Sequence, residues 1–225
     1  SAGKVPVIAG VGTNDTRTTL ENAKEALELG ADALLVVTPY YNKPPQEALF
    51  EHYRIIAEET GAPIVVYNVP GRTSVNLLPD TFERLSHIRE IVAIKDATAD
   101  LKVASELVSA AGDRANVLSG DDFTALPLVA VGGHGVISVV GNVAPAKNVA
   151  MISAALDGDF SAAQAYHHEL FPLVDALFKT TNPIPVKRAV SLLGFGSAEV
   201  RSPLLPLNSQ QSQHIEDILR QLELL

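Results

Sequence analysis

Lys95 follows the apolar segment 92–94, which reads as the end of a buried strand. Lysine is rarely buried unless it is paired or functional. Burial lowers the pKa of a lysine, and the neutral amine can then attack a carbonyl carbon and form a Schiff base. A structural ion pair with Asp96, or with the acidic residues of SGDD (119–122), is the alternative.

Two tyrosine positions also follow strand-like segments. Tyr67 comes directly after the apolar run 63–66, and a phenol placed near an imine can move protons within a chain of hydroxyl groups. The alternative for Tyr67 is a half-buried aromatic ring whose hydroxyl binds a backbone group. Tyr40 and Tyr41 are adjacent, so we expect at most one of them to point into a shared site.

Arg72 follows the turn NVPG (68–71), in which proline and glycine break the preceding strand. A guanidinium at the mouth of a site is suited to a bidentate contact with a carboxylate. A solvated loop arginine is the alternative interpretation.

Motifs for metal ions and nucleotides are missing from the sequence. The glycine-rich segments GVGTND (10–15) and VGGHGV (131–136) lack the order of a dinucleotide site or a P-loop. The six histidines form no ligand set, because adjacent His167 and His168 would diverge by about 100° on a helix. No G-x-S-x-G motif of serine hydrolases occurs. We expect neither a metal nor an organic cofactor.

The composition excludes some classes of partner. The 225 residues include 17 Lys and Arg against 26 Asp and Glu, which gives a formal net charge of −9. That charge argues against binding to nucleic acids or to membrane surfaces. No window approaches the roughly 18 apolar residues of a membrane span. The absence of cysteine suits a reducing compartment, and we expect a cytoplasmic protein.

The apolar pattern divides most of the chain into six strand-then-helix units. The strands are expected to start near residues 5, 31, 63, 91, 115 and 133, and intervening helices are expected near 16–30, 46–60, 79–86, 101–111 and 145–157. This spacing is typical of crossovers in a parallel sheet. Beyond residue 158 three helices are expected, at 161–180, 182–194 and 209–225. We predict an α/β catalytic domain over 1–158 and a helical extension over 159–225.

Polar residues collect where the predicted strands end, as at Thr38, Tyr67, Lys95 and SGDD (119–122). In parallel α/β folds the carboxyl ends of the strands face the ligand. A doubly wound sheet and an eight-stranded barrel both satisfy this pattern. Six strands taken alone favour the open sheet.

Seven motifs occur in one order along the chain: PVIAGVG, VVTPYYNKPP, VVYNVPGRT, IVAIKDAT, LSGDD, GGHGVISV and NPIPVK. In this order they resemble the dihydrodipicolinate synthase family. That family belongs to the pyruvate-dependent class I aldolases, together with N-acetylneuraminate lyase. The match runs from about residue 5 to the C-terminus, and the segment YNVPGRT favours the synthases because the lyase lacks this arginine.

The resemblance implies a TIM-type (β/α)8 barrel with a C-terminal helical extension. It also implies a lyase that condenses pyruvate with L-aspartate 4-semialdehyde to 4-hydroxy-tetrahydrodipicolinate, in lysine and diaminopimelate biosynthesis. The imine serves as the electron sink, so no cofactor is needed. Members are commonly homo-oligomers, and a dimer or tetramer is expected here.

Four residues take catalytic or binding roles through the resemblance. Lys95 matches the lysine that condenses with pyruvate, and Tyr67 matches the tyrosine that relays protons to the imine. Tyr41 matches the tyrosine that completes the relay from a neighbouring subunit. Arg72 resembles the arginine that receives the carboxylate of aspartate semialdehyde.

Two further positions concern pyruvate. Ile137 matches the residue whose backbone lies against bound pyruvate, and Gly120 is expected nearby. The family pattern also has two βα units before PVIAG, which end in a Gly-Thr-Thr-Gly-Glu motif that binds the pyruvate carboxylate. This chain has no such motif. The barrel predicted here therefore lacks its first two βα units.

Two other functions remain open at this point. One is a related pyruvate-dependent aldolase that uses a sugar-acid or hydroxy-oxoacid aldehyde, for which Arg72 is the discriminating residue. The other is a truncated and catalytically impaired scaffold that oligomerises through the open edges of its barrel, since exposed sheet edges favour pairing between chains.

Overall fold

The computed structural model describes residue 1 and residues 3–225, and its elements follow the predicted strand-then-helix order. The strands are β1 Ile8–Gly10, β2 Ala33–Val37, β3 Ile64–Asn68, β4 Ile91–Asp96, β5 Asn116–Ser119 and β6 Gly135–Val136. The helices are α1 Thr16–Glu28, α2 Gln46–Thr60, α3 Pro70–Thr73, α4 Pro79–Ser86, α5 Leu101–Ala111, α6 Ala125–Ala130, α7 Pro145–Leu156, α8 Phe160–Phe178, α9 Ile184–Leu192 and α10 Ser209–Gln221. A short 3-10 helix spans Val140–Asn142.

The strands form one six-stranded sheet in chain order, and β1 to β5 pair in parallel. The predicted parallel sheet is therefore confirmed. In the register between β3 and β4, Tyr67 lies opposite Lys95 and Asn68 lies opposite Asp96. Because successive side chains of a strand point to opposite faces, these two pairs lie on different faces of the sheet.

Side-chain caps explain why several helices begin where they do. Asp15, Asp100 and Asp159 each accept a hydrogen bond from a backbone N–H in the first turn of the following helix. Asn208 forms a reciprocal capping box with Gln211 at the start of α10. Such caps satisfy amides that have no partner within the helix.

Helix α3 is absent from the sequence-based expectations, which describe NVPG (68–71) as a turn. Pro70 begins this single turn of helix, and its fixed φ suits a first helical position. Ser74 ends the turn with φ 61°. A four-residue helix is too short to produce an apolar period, so the sequence pattern has no signal for it.

The first compact unit comprises residues 1–120 and 131–135. Its core contains alternate residues of β2 together with most of β3, and Leu34, Val36 and Ile64 are fully buried. Tyr53 of α2 is buried as well, and its hydroxyl donates to the Val36 carbonyl oxygen at 3.1 Å. Strand β1 is different, because Ile8 is 45% exposed. Among the described residues, β1 is the terminal strand of the sheet and pairs only with β2.

The second compact unit comprises residues 121–130 and 136–225. Helices α7 to α10 contribute to its core, which includes Leu173, Leu177 and Leu219. Lys147 donates from Nζ to the Leu222 carbonyl oxygen at 3.1 Å, which fixes the end of the last helix. None of the helices in the described residues has the length and hydropathy needed to cross a membrane. The domain boundary predicted at residue 158 stays a prediction.

Candidate active site

Lys95 and Tyr67 lie side by side at the carboxyl ends of β4 and β3. The Lys95 Nζ lies 4.1 Å from the centroid of the Tyr67 ring. Residues in register on neighbouring strands point to the same face, so this contact follows directly from the pairing of β3 with β4. The separation is within the range of a cation–π interaction. Both side chains are only partly exposed.

Gly120 lies against Lys95 and leaves no space for a side chain. A Cβ atom on Gly120 would lie 2.9 Å from the Ala97 Cβ and 3.0 Å from the Lys95 Cε. The Gly120 amide donates to the Asp96 carbonyl oxygen at 2.7 Å, which holds this backbone close to the end of β4. The structure places Gly120 beside Lys95, while the expected position of Gly120 near bound pyruvate stays a prediction.

Asp96 lies on the other face of β4 from Lys95. Its carboxylate accepts hydrogen bonds from the Thr98 hydroxyl at 2.7 Å and from the Asn68 Nδ2 at 3.3 Å. Burial raises the pKa of Asp96, and these hydrogen bonds act in the opposite direction. These bonds direct the Asp96 carboxylate toward Thr98 and Asn68, on the opposite face of β4 from Lys95.

A cleft of about 360 Å3 opens beside Tyr67. Its lining includes Tyr67, Arg72 and Tyr40, together with Gly10, Gly12, Leu35, Val37, Val69 and Thr73. Burial raises the pKa of Tyr67, and the positive charge of Arg72 lowers it to a smaller extent. Because its ordinary pKa is about 10, Tyr67 keeps its proton at neutral pH and can donate it.

Tyr41 does not line this cleft. Its side chain is 87% exposed, its backbone has φ 75°, and its amide donates to the Thr73 carbonyl oxygen at 3.2 Å. Tyr40, the adjacent residue, lines the cleft in its place. Within the described chain, the tyrosine that the resemblance assigns to the proton relay therefore faces solvent.

Ile137 lies just after β6 in the second compact unit, where it is partly buried. The following residues are held by buried Asp122, whose carboxylate accepts from the Ser138 hydroxyl and from the Val139 amide at 2.9 Å. Burial raises the pKa of Asp122, while these hydrogen bonds lower it. Sequence reasoning missed this network, although SGDD contains the residue that forms it.

Asn68 is a second residue to which sequence reasoning assigns no role. It is fully buried at the end of β3, and its side chain binds both Leu77 and Asp96. The motif VVYNVPGRT contains this asparagine directly after Tyr67. Its hydrogen-bond partners lie 9 and 28 residues further along the chain, so no local sequence pattern indicates them. The described residues contain no cluster of three or more histidine and acidic side chains that could hold a metal.

Comparisons with known proteins show which family this chain is similar to. A sequence model of the dihydrodipicolinate synthetase family matches residues 1–222. The 4-hydroxy-tetrahydrodipicolinate synthase of Thermomicrobium roseum is 56% identical over 207 residues, which cover 92% of this chain and 68% of the relative. The chain belongs to the dihydrodipicolinate synthase family. The resemblance carried by the seven motifs is thereby confirmed.

Solved structures of the dihydrodipicolinate synthase family show the same fold. The enzyme from Thermotoga maritima superimposes with a TM-score of 0.97 at 45% identity, covering 100% of this chain and 77% of that structure. A synthase from Acinetobacter baumannii, solved in complex with pyruvate, has a TM-score of 0.95 at 42% identity over the same shares. The fold described here is therefore that of the family.

Proposed function

We propose that this protein is a 4-hydroxy-tetrahydrodipicolinate synthase that condenses pyruvate with L-aspartate 4-semialdehyde. The observation that carries the proposal is the position of the Lys95 Nζ, 4.1 Å from the Tyr67 ring centroid. Relatives named for this activity are 46–56% identical to this chain. A lysine beside a phenol has the two groups that Schiff-base chemistry requires, a nucleophilic amine and a proton carrier.

In the proposed reaction, the neutral Lys95 amine attacks the ketone carbon of pyruvate, and loss of water gives an imine. Removal of a methyl proton then gives an enamine, because the imine nitrogen accepts the electron pair. The enamine carbon attacks the aldehyde carbon of the second substrate and forms the new C–C bond. Finally the amino group of the adduct attacks the imine carbon, closes the ring and releases Lys95.

Tyr67 is the proposed proton carrier for imine formation. Its raised pKa keeps the phenol protonated between turnovers, so it can donate a proton to the departing hydroxyl of the carbinolamine. Tyr41 is proposed to complete this relay in a neighbouring subunit, which its 87% exposure permits. A homo-oligomer, dimer or tetramer, is part of this proposal. One solved family member that covers all of this chain is described as a monomeric variant.

The proposed architecture is a (β/α)8 barrel of which this chain contains six βα units. Two observations support it: the relatives extend beyond the matched region, since the chain covers 68–77% of their length, and the terminal strand β1 has exposed apolar residues. Ile137 is proposed to place its backbone against bound pyruvate. The proposal includes a cytoplasmic location.

Arg72 decides between aspartate semialdehyde and the aldehydes of related aldolases. Arg72 lines the cleft beside Tyr67, and a guanidinium can bind a substrate carboxylate in a bidentate manner. The Arg72→Ala variant should lose at least about tenfold in kcat/KM for aspartate semialdehyde, while pyruvate still forms its imine at Lys95. A coupled turnover assay and borohydride trapping measure the two steps separately.

Two outcomes of the turnover assay with wild-type protein would contradict the proposed function. If wild-type protein forms the imine but turns over only sugar-acid or hydroxy-oxoacid aldehydes, the proposed second substrate is wrong. If an assembled protein forms the imine without turning over any aldehyde, the impaired scaffold is the better description. The matched control for Arg72→Ala is Lys43→Ala, which replaces an exposed cation of the same compact unit.

A further inference from the structure

Asn68 is a buried amide that connects three parts of the first compact unit. It is the last residue of β3 and has no exposed surface. Its Oδ1 accepts from the Leu77 amide at 3.0 Å, and its Nδ2 lies 2.8 Å from the Asn76 Oδ1. The same Nδ2 lies 3.3 Å from the Asp96 carboxylate on β4. One side chain thus binds the loop 69–77 and the neighbouring strand together.

The loop 69–77 is the segment that carries Arg72. Its first end leaves β3 at Asn68, and the Asn68 side chain binds its other end at residues 76 and 77. Helix α3 lies between these points, so the position of Arg72 depends on both ends of the loop. A loop closed at its base by a buried amide has fewer conformations to lose when a ligand binds.

The middle of the loop is held by a second set of hydrogen bonds. The Thr73 hydroxyl lies 3.2 Å from the Val69 carbonyl oxygen and 3.0 Å from that of Val75. The buried Thr38 hydroxyl at the end of β2 donates to the Thr73 Oγ1 at 3.3 Å. These bonds maintain the helical turn, but they do not connect it to β4. Asn68 makes that connection, through Asp96.

The connection to β4 matters because β4 also carries Lys95. Asn68 follows Tyr67 on β3, and Asp96 follows Lys95 on β4, so the amide–carboxylate bond lies one residue beyond the Lys95–Tyr67 pair. The bond lies on the opposite face of the sheet from the Lys95–Tyr67 pair, and it connects the ends of the two strands that carry this pair. The Asn68 side chain also binds residues 76 and 77, at the end of the loop that carries Arg72.

We propose that Asn68 is a positioning residue that holds Arg72 at a fixed distance from Lys95 and Tyr67, and that it thereby sets the preference for a second substrate with a carboxylate. This inference rests on the proposed function. Asn68 acts indirectly in it, because it positions Arg72 and does not itself contact the substrate. A small apolar residue would fill part of the same space but would leave the Leu77 amide and the Asp96 carboxylate without this partner.

A double-mutant cycle between Asn68 and Arg72 tests the proposal. Asn68→Ala should lower kcat/KM for aspartate semialdehyde about tenfold or more, whereas the pyruvate concentration that half-saturates borohydride trapping at Lys95 stays unchanged. In the Arg72→Ala background, Asn68→Ala should have no further effect, because the residue through which it acts is already gone. Multiplicative losses in the double variant would overturn the proposal.

A second pair of variants keeps the test valid if Asn68→Ala unfolds. Asn68→Asp places two carboxylates together and should lose activity toward the semialdehyde. The double exchange Asn68→Asp with Asp96→Asn restores the amide–carboxylate pair, but not the donation from position 68 to Asn76, and should recover part of the activity. No recovery would overturn the proposal. Wild-type protein that traps pyruvate but does not turn over the semialdehyde would overturn the proposed function instead, and the role of Asn68 with it.

Discussion

At the scale of single residues, His52 shows how burial changes the chemistry of a side chain. It lies in α2 with 4% of its surface exposed, and its Nδ1 lies 2.9 Å from the Thr16 hydroxyl. Its Nε2 has no hydrogen-bond partner in the described part of the chain. Burial lowers the pKa of His52 to about 4, although the charge of Asp15 acts in the opposite direction. His52 is therefore neutral in the folded protein at pH 7.

This histidine should make the folded state less stable in acid. An unfolded chain binds a proton at a histidine below about pH 6.5, whereas folded His52 does so only below about pH 4. Stability is therefore lost as the pH falls through this window, by up to about 3 kcal/mol. His52→Gln should reduce the slope of unfolding free energy against pH, as measured by urea titration.

The control for this measurement is His87→Gln, which removes an exposed histidine from the same compact unit. The raised pKa values of Asp96 and Asp122 have the opposite effect on stability, but they are present in every variant and cancel in the comparison. An unchanged slope in His52→Gln would contradict the assignment of a buried, neutral histidine.

At the scale of secondary-structure elements, the backbone after β5 must pass close to the end of β4. Gly120→Ala should lower the free energy of unfolding by about 1–3 kcal/mol, because its Cβ would collide with Ala97 and Lys95. It should also slow trapping of pyruvate, since Lys95 must move. Gly71→Ala is the matched control, because a Cβ there meets nothing within 4 Å. Equal losses in both variants would contradict the close approach.

Much of the fold was accessible from local sequence signals. The predicted bounds of α2, α4 and α5 agree with the structure, because Gly61, Pro79 and Asp100 mark helix ends by conformations or caps that act within a few residues. The exposure of Tyr41 was not accessible in this way. It depends on a backbone with φ 75° and on a hydrogen bond to Thr73, 32 residues further along the chain.

Some features of the candidate site could likewise be predicted from local sequence signals, and others could not. Lys95 and Tyr67 could be selected from the sequence, since each follows an apolar run that forms a buried strand. That they contact each other depends on the register between two strands, which no local pattern specifies. The bonds from Asn68 to Leu77 and Asp96 are of the same kind, so the role proposed for Asn68 needed the structure.

At the scale of the whole molecule, the proposed relay requires more than one chain. Tyr41→Phe and Lys95→Met should each be inactive alone, whereas a mixture of the two that is unfolded and refolded together should regain turnover. In a mixed oligomer, the intact Lys95 of one chain can combine with the intact Tyr41 of another. A mixture that stays inactive, with the assembly verified by light scattering, would contradict a relay between subunits.

The most direct test of the account is reduction of the protein with borohydride in the presence of pyruvate, followed by peptide mass analysis. We predict a reduced pyruvyl adduct on Lys95, its loss in Lys95→Met, and its retention in Lys102→Met, which replaces an exposed lysine of α5. A protein that forms no adduct at Lys95, or that is labelled equally on its exposed lysines, would contradict the central claim that Lys95 forms the imine.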